Sequence, residues 1–229
     1  MKEENPFENE QEAKKWILSV EDTSGQNNLR EKEMYPLLES RAVEYQAKDI
    51  LEIGAGQGIC STHIGESFNS YTGIEPSETL VGRAQEKYAD SKKQFVVGNA
   101  YELPVESNSF DFVFSTMVWF HLANPERAST ELARVLEPNG HFLIVTANPN
   151  SYKIWESFFD NPIVDDKHMV GMVHIPGGVV SKNIIYKHTQ ERLLSALESA
   201  NLKISSVKEL GYVNGLADKS IFISIEGTK

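Results

Sequence analysis

Residues 49–60 read Asp49-Ile50-Leu51-Glu52-Ile53-Gly54-Ala55-Gly56-Gln57-Gly58-Ile59-Cys60, an apolar run of strand length that enters three glycines at alternate positions. Glycine allows a sharp strand-to-helix turn and lets a ligand approach the backbone without Cβ interference. Alone, the pattern also suits any tight turn between a strand and a helix. The next apolar run, Ser70–Ile74, ends in Gly73-Ile74-Glu75-Pro76-Ser77. Glu75 then stands about twenty residues past the glycines, where dinucleotide folds place the carboxylate that accepts from ribose hydroxyls. An adenosine-containing ligand fits both features together.

Outward from this pair, strand-length apolar runs alternate with helical stretches, the pattern of a parallel sheet covered on both faces. The spacing predicts strands at Asp49–Ile53, Ser70–Ile74, Gln94–Gly98, Phe110–Ser115 and His141–Ala147. It predicts helices at Ser61–Phe68, Glu78–Ala89 and Arg127–Leu136, the last stopped by Pro138 and Gly140. Upstream, residues 1–9 read as disordered, a helix gathers around Trp16, Ile17, Leu18 and Val20, and a loop at residues 22–28 precedes a helix over Leu29–Tyr45. Pro36 sets an early turn or kink in that second helix. Asn148–Asn183 shows no sustained period and reads as an insertion. A helix at Thr189–Ala200 and two β segments, Leu202–Leu210 and Ser220–Glu226, follow, with a turn at residues 211–218 between the segments.

The length of 229 residues and a 40% hydrophobic content suit a single domain. Its parts would be N-terminal helices forming a cap (1–47), a cofactor-binding core (48–147), a substrate-side insertion (148–188) and a closing helix with a β-hairpin (189–229). A net charge of −11 opposes attraction to nucleic acid or anionic lipid. No apolar run approaches the roughly 18–20 residues that span a bilayer, and the polar N-terminus lacks an apolar signal core. The single cysteine, Cys60, excludes an intrachain disulfide and a multi-cysteine zinc site and fits a reducing cytoplasm. Nucleic acid and membrane are therefore not expected as partners; a small molecule is, with the chain as a monomer or homodimer.

Dinucleotide binders use GxGxxG, whereas Gly54-Ala55-Gly56-Gln57-Gly58 is GxGxG preceded by Glu52. This form resembles the first motif of class I S-adenosylmethionine-dependent methyltransferases. The stretches Val97–Ser115 and Ser115–Ile144 are similar to later segments of the same family. The resemblance implies an α/β, Rossmann-like three-layer sandwich: a mostly parallel seven-stranded sheet with an antiparallel last strand and helices on both faces. It implies S-adenosyl-L-methionine as cofactor, with the backbone of Gly54, Ala55, Gly56 and Gly58 against its methionyl part and Glu52 nearby. Glu75 and Pro76 would take the ribose. Asn99, where Asp is commoner, would contact the adenine beside Ala100 and Tyr101; as an amide it can both accept and donate, although Asn is also a common turn former.

On the same resemblance Ser115, Thr116 and Met117 floor the cofactor and Arg30 caps its carboxylate, unless Arg30 is spent on a surface salt bridge. Trp119 and Phe120 would meet the substrate, with core packing as the alternative; the apolar composition of the insertion makes Tyr152 and Trp155 substrate candidates too, unless they form a lid packed on the domain. His121 is the catalytic candidate, because imidazole exchanges protons near neutral pH; packing or hydrogen bonding is its plainer use. The implied reaction is in-line transfer of a methyl group to O, N or C of a small molecule. No Asp and Asn cluster follows the fourth strand, so no metal is expected. A non-catalytic S-adenosylmethionine-binding protein remains an alternative. A nicotinamide-dependent oxidoreductase is a further one, lacking its GxGxxG and Tyr-x-x-x-Lys signatures here.

Overall fold

Asp49–Ile53 (β1) is buried at four of its five positions, as a strand covered on both faces must be. It is the third strand of a seven-stranded sheet with β2 (Ser70–Glu75), β3 (Lys93–Val97), β4 (Phe110–Thr116), β5 (Leu136–Ala147), β9 (Lys203–Tyr212) and β10 (Ser220–Thr228), in the order β3-β2-β1-β4-β5-β10-β9. β1 pairs in parallel with both β2 and β4, and β10 runs antiparallel between β5 and β9. The computed structural model describes residues 5–21, 29–175, 179–212 and 219–229. The loop expected at residues 22–28 and most of the turn expected at 211–218 lie outside them.

Alternate residues of each strand enter opposite faces, which makes two cores. Ile50, Tyr71, Phe112 and Phe114 pack on one side with Leu38 and Ala42 of α2 (Tyr35–Glu44). Leu51, Val113 and Ile144 pack on the other with Leu132 of α4 (Pro125–Val135) and Leu197 of α6 (Gln190–Ser199). After β1 the chain builds outward to β2 and β3 and then returns to the far side of β1 as β4. That reversal opens a crevice at the carboxyl ends of β1 and β4, where open α/β sheets bind ligands.

Four expectations change. Residues 5–9, read as disordered, contain a 3-10 turn at Pro6–Glu8: Asn5 caps it by accepting from Phe7 N–H at 3.0 Å, and Asn9 caps α1 (Glu10–Glu21) from Gln11 and Glu12. Asn before Pro is a helix-start signal that the acidic composition hid. The helix expected at Ser61–Phe68 is only a 3-10 turn at Ile59–Thr62, where Ser61 and Thr62 hydroxyls bond the Gly58 and Ile59 carbonyls in competition with helix bonds. The helix expected over Leu29–Tyr45 divides into a π-turn at Arg30–Met34 and α2, with Pro36 in the first turn of α2.

The fourth change is the insertion. It holds α5 (Tyr152–Glu156) and a second sheet of β6 (Phe159–Val164), β7 (His168–Ile175) and β8 (Val179–Tyr186), antiparallel in that order. Ser181 and Asn183 of β8 are buried, so polar residues at inward positions erased the alternation that marks a strand. The remaining helix, α3 (Glu78–Tyr88), lies where a helix was expected and starts on Ser77, whose hydroxyl accepts from Leu80 N–H at 3.4 Å.

One buried ion pair ties α2 to the sheet. The Arg41 guanidinium donates to both Glu226 oxygens, Tyr45 Oη donates to the same carboxylate at 3.1 Å, and Glu226 is 3% exposed. Removing one partner of a buried pair strands the other charge. Arg41→Met is therefore expected to cost about 3 kcal/mol in urea unfolding, and Arg41→Met with Glu226→Leu to recover much of that loss.

Candidate functional site

At the carboxyl ends of β1, β2 and β4 lies a cavity of about 530 Å³, within the range of roughly 300–1,000 Å³ usual for small-molecule sites. The glycine turn supplies its first wall. Gly54 has φ +78°, donates its N–H to the Ile74 carbonyl at 2.7 Å, and leaves no room for a Cβ, which would stand 2.2 Å from Val118 Cγ2. Gly56, at φ +54°, faces open space and directs its N–H to Glu75 Oε2 at 3.1 Å. Gly58 and Ala55 are outside the cavity wall. A Cβ on Gly58 would press on Ala84 and Phe95 at 2.9 Å, so its task is to let α3 and β3 approach the loop, while Ala55 is buried against Gly73 of β2.

Glu75 closes the next side. Its Oε1 accepts from Ser77 N–H at 3.0 Å, so two backbone amides hold the carboxylate in one orientation with further lone pairs to offer. Burial pushes Glu75 up to about 7, opposed by the Ser77 and Gly56 amides and aided by the charge of Glu8. Pro76 lies beside it in the wall, followed by Asn99, Ala100 and Tyr101 beyond β3. Asn99 Oδ1 accepts from Tyr101 N–H at 2.9 Å, so it shapes the turn and keeps its amide N–H groups for a ligand.

Glu52 does not reach the cavity. It is 1% exposed beneath the loop, where it accepts from Tyr71 Oη and bonds Cys60, whose Sγ is 3.6 Å from Thr116 Oγ1. Thr116 does line the cavity, so a chain of polar side chains links Glu52 to the site. Burial pushes Glu52 up to about 7, with Tyr71 and Cys60 opposing and Glu75 adding to the rise. A carboxyl raised on folding contributes stability below its unfolded range near 4.5 that is lost as pH rises through about 7. Glu52→Gln is thus expected to gain stability over the parent between pH 5 and pH 8, on the order of 2 kcal/mol by urea unfolding. A gain that shrinks over that range would contradict the account.

Past β4, Thr116 and Met117 form the floor, and Met117 is held at φ +63°, a strained conformation for a side chain of its size. Ser115 is not in the floor, because its hydroxyl is buried on the Ile53 carbonyl at 2.8 Å and ties β4 to β1. His121 lines the cavity with Nδ1 at 2.6 Å from the Ile184 carbonyl, and burial pushes its pKa down to about 4.

Four aromatic residues expected to meet substrate are placed elsewhere. Trp119 and Phe120 are buried in the two cores. Trp155 packs on Phe120 and Phe222 and donates Nε1–H to the Ile221 carbonyl at 2.9 Å. Tyr152 Oη exchanges hydrogen bonds with the His188 backbone at 2.9 and 3.1 Å. Arg30 lies outside the wall too, with its guanidinium 5.2 Å above the Trp16 ring. Wall residues that sequence reasoning passed over include Phe7, Glu8 and Trp16 from the N-terminal segment and Ile184 from the small sheet. The Asn5-Pro6 cap was the available sign of the first two; nothing in the sequence marked Ile184.

Residues 51–144 match the family model described as a methyltransferase domain. Over that stretch, less than half of the 229 residues, the chain is similar to methyltransferase domains, and its fold is that of class I S-adenosylmethionine-dependent methyltransferases. It is 28% identical over 142 residues to an uncharacterized methyltransferase of Mycobacterium bovis, covering 62% of this chain and 51% of the relative. It is 30% identical over 117 residues to a fatty-acid O-methyltransferase of Mycolicibacterium smegmatis, covering 49% and 42%. The chain thus spans about half the length of the curated relatives it matches. An S-adenosylmethionine-dependent methyltransferase structure from Clostridium acetobutylicum superposes with a TM-score of 0.68 at 12% identity, covering 94% of this chain and 97% of that one. The seven-stranded sheet, with β10 antiparallel, is the fold that the resemblance of the GxGxG motif implied. Among the described residues no helix is long and apolar enough to cross a membrane, and no group of three His, Cys, Asp or Glu side chains suits a metal ion.

Proposed function

We propose that the cavity binds S-adenosylmethionine and that the protein transfers its methyl group to O, N or C of a small molecule. The observation that carries this reading is the Glu75 carboxylate, fixed by the Gly56 and Ser77 amides beside open space at Gly56. A fixed carboxylate suits two ribose hydroxyls, and an amino acid group fits against the Gly54–Gly56 backbone where no Cβ intrudes. Glu75 and Glu8 also give the cavity acidic groups that complement a cationic cofactor. Asn99 offers amide hydrogens to an adenine ring nitrogen, and Thr116 with Met117 supports the ligand from below.

Bound there, S-adenosylmethionine would supply an electrophilic methyl group on a sulfonium, with a neutral thioether as leaving group. The protein's share is alignment and exclusion of water, the work that Phe7, Trp16 and Ile184 do by roofing the cavity with apolar surface. Turnover is read by release of S-adenosylhomocysteine in the presence of phenols, amines, carbon acids and fatty acids, the last drawn from the mycobacterial relative. Release that depends on an added acceptor is the expected result. Cofactor binding with no release across the panel would count against methyl transfer and favour a binding protein without catalysis.

A further inference from the structure

β8 is the outer strand of the small sheet, and its outer edge is occupied. In an antiparallel ladder alternate residues turn both backbone groups toward the partner strand or away from it. Lys182 and Ile184 fall in the same set, and both bond outward: Lys182 N–H donates to Glu12 Oε2 at 2.9 Å, and the Ile184 carbonyl lies 2.6 Å from His121 Nδ1. The Ser181 hydroxyl also donates to Glu12 Oε2, at 2.9 Å. The same strand edge therefore anchors the N-terminal helix over the cavity and the imidazole in its wall.

A carbonyl oxygen can only accept, so His121 Nδ1 carries the proton of this hydrogen bond. Nε2 is then the polar atom that the ring has left, and among the described residues no group hydrogen-bonds it. Burial keeps the ring neutral, with its pKa pushed down to about 4, which leaves a lone pair on Nε2. Around the ring stand Phe120, tilted at 4.2 Å, and Phe7, edge-on at 5.9 Å, and the buried Leu122 and Ile184 line the same cavity. Glu8, Glu75 and Glu102 line the same cavity, while Arg127, also in its wall, is over the Tyr101 ring at 5.1 Å, beside the expected adenine position.

We propose that His121 Nε2 is the hydrogen-bond acceptor that orients the methyl acceptor, selecting an apolar molecule whose nucleophile carries a hydrogen, as a hydroxyl or uncharged amine does. The Ile184 carbonyl is the positioning group, because it fixes which nitrogen of the ring is free. A carboxylate acceptor is disfavoured: it has no hydrogen to offer Nε2 and would share the cavity with three glutamates. This inference rests on the methyltransferase reading and narrows its acceptor.

The test uses the full chain with 15N-labelled histidine and S-adenosylhomocysteine present. Failure of S-adenosylhomocysteine to bind would count against the methyltransferase reading itself. With it bound, the His121 resonances are expected to show a protonated Nδ1 and an unprotonated Nε2 at pH 7. p-Cresol should shift the Nε2 resonance and bind about tenfold more tightly than toluene, the worth of one buried hydrogen bond. Benzoate should bind more weakly than p-cresol, and His121→Phe should erase the preference for p-cresol over toluene. A proton on Nε2, a preference for benzoate, or a p-cresol preference that survives in a His121→Phe variant still binding S-adenosylhomocysteine would each overturn the proposal. Should that variant fail to fold, the resonances and probe order of the parent protein still decide it.

Discussion

Glu75→Gln is expected to weaken S-adenosylmethionine binding by about a hundredfold while far-ultraviolet circular dichroism stays unchanged. The parent carboxylate accepts from Gly56 N–H at 3.1 Å and Ser77 N–H at 3.0 Å. It is proposed to accept from two ribose hydroxyls as well. Hydrogen bonds to a charged group contribute about 1.5–3 kcal/mol each, so weakening two of them accounts for two orders of magnitude. An amide also places an NH2 group against one of the two loop N–H donors. The fold should survive, because burial of this carboxyl is itself unfavourable, as the rise of its pKa to about 7 shows. Calorimetric titration checks the result, and a loss smaller than about threefold would show that the ribose is not at Glu75.

Gly54→Ala should do more damage and of another kind. The backbone at φ +78° disfavours any Cβ by roughly 1–2 kcal/mol, and this Cβ would stand 2.2 Å from Val118 Cγ2, far inside van der Waals contact. Val118 begins the turn that carries His121, so relief of the clash must move the cavity wall. The expected loss is about 3 kcal/mol of stability together with cofactor binding. Gly56→Ala is the control, since its φ of +54° is also unfavourable but nothing lies within 4 Å of a Cβ there. It should cost about 1 kcal/mol of stability and act mainly on the ligand. Equal thermal stabilities of the two variants would contradict the steric account.

The core strands were legible because β1, β2 and β4 are buried on both faces and read as continuous apolar runs between glycines and polar turns. Glu75, Asn99 and Thr116 were legible for a related reason: each ends a strand or follows one, and strand ends in this topology converge on one crevice. Legibility failed where a side chain's direction, not its place in the chain, decides its role. Glu52, Ser115, Trp119 and Trp155 are close in sequence to cavity residues or rich in contact surface, yet each turns into the interior and finds a partner there or packs in the core. Ile184 was invisible for the opposite reason. Its hydrogen bond to His121 comes from a backbone carbonyl, whose position depends on the register of β8 against β7 and leaves no mark on residue type.

The roof of the cavity shows how weak local signals combine. Asn5 and Asn9 cap successive turns, Phe7 meets Trp16 at 5.2 Å, and Glu12 then docks on β8. No single one of these would hold a short acidic segment in place. Together they convert a stretch whose composition suggests disorder into one wall of the site.

Calorimetric titration of the full chain with S-adenosylmethionine, S-adenosylhomocysteine and NAD decides whether this cavity takes S-adenosylmethionine. Saturable binding of the first two, weakened by Glu75→Gln, is the expected result, with no binding of NAD. Binding of NAD with none of S-adenosylmethionine would contradict it.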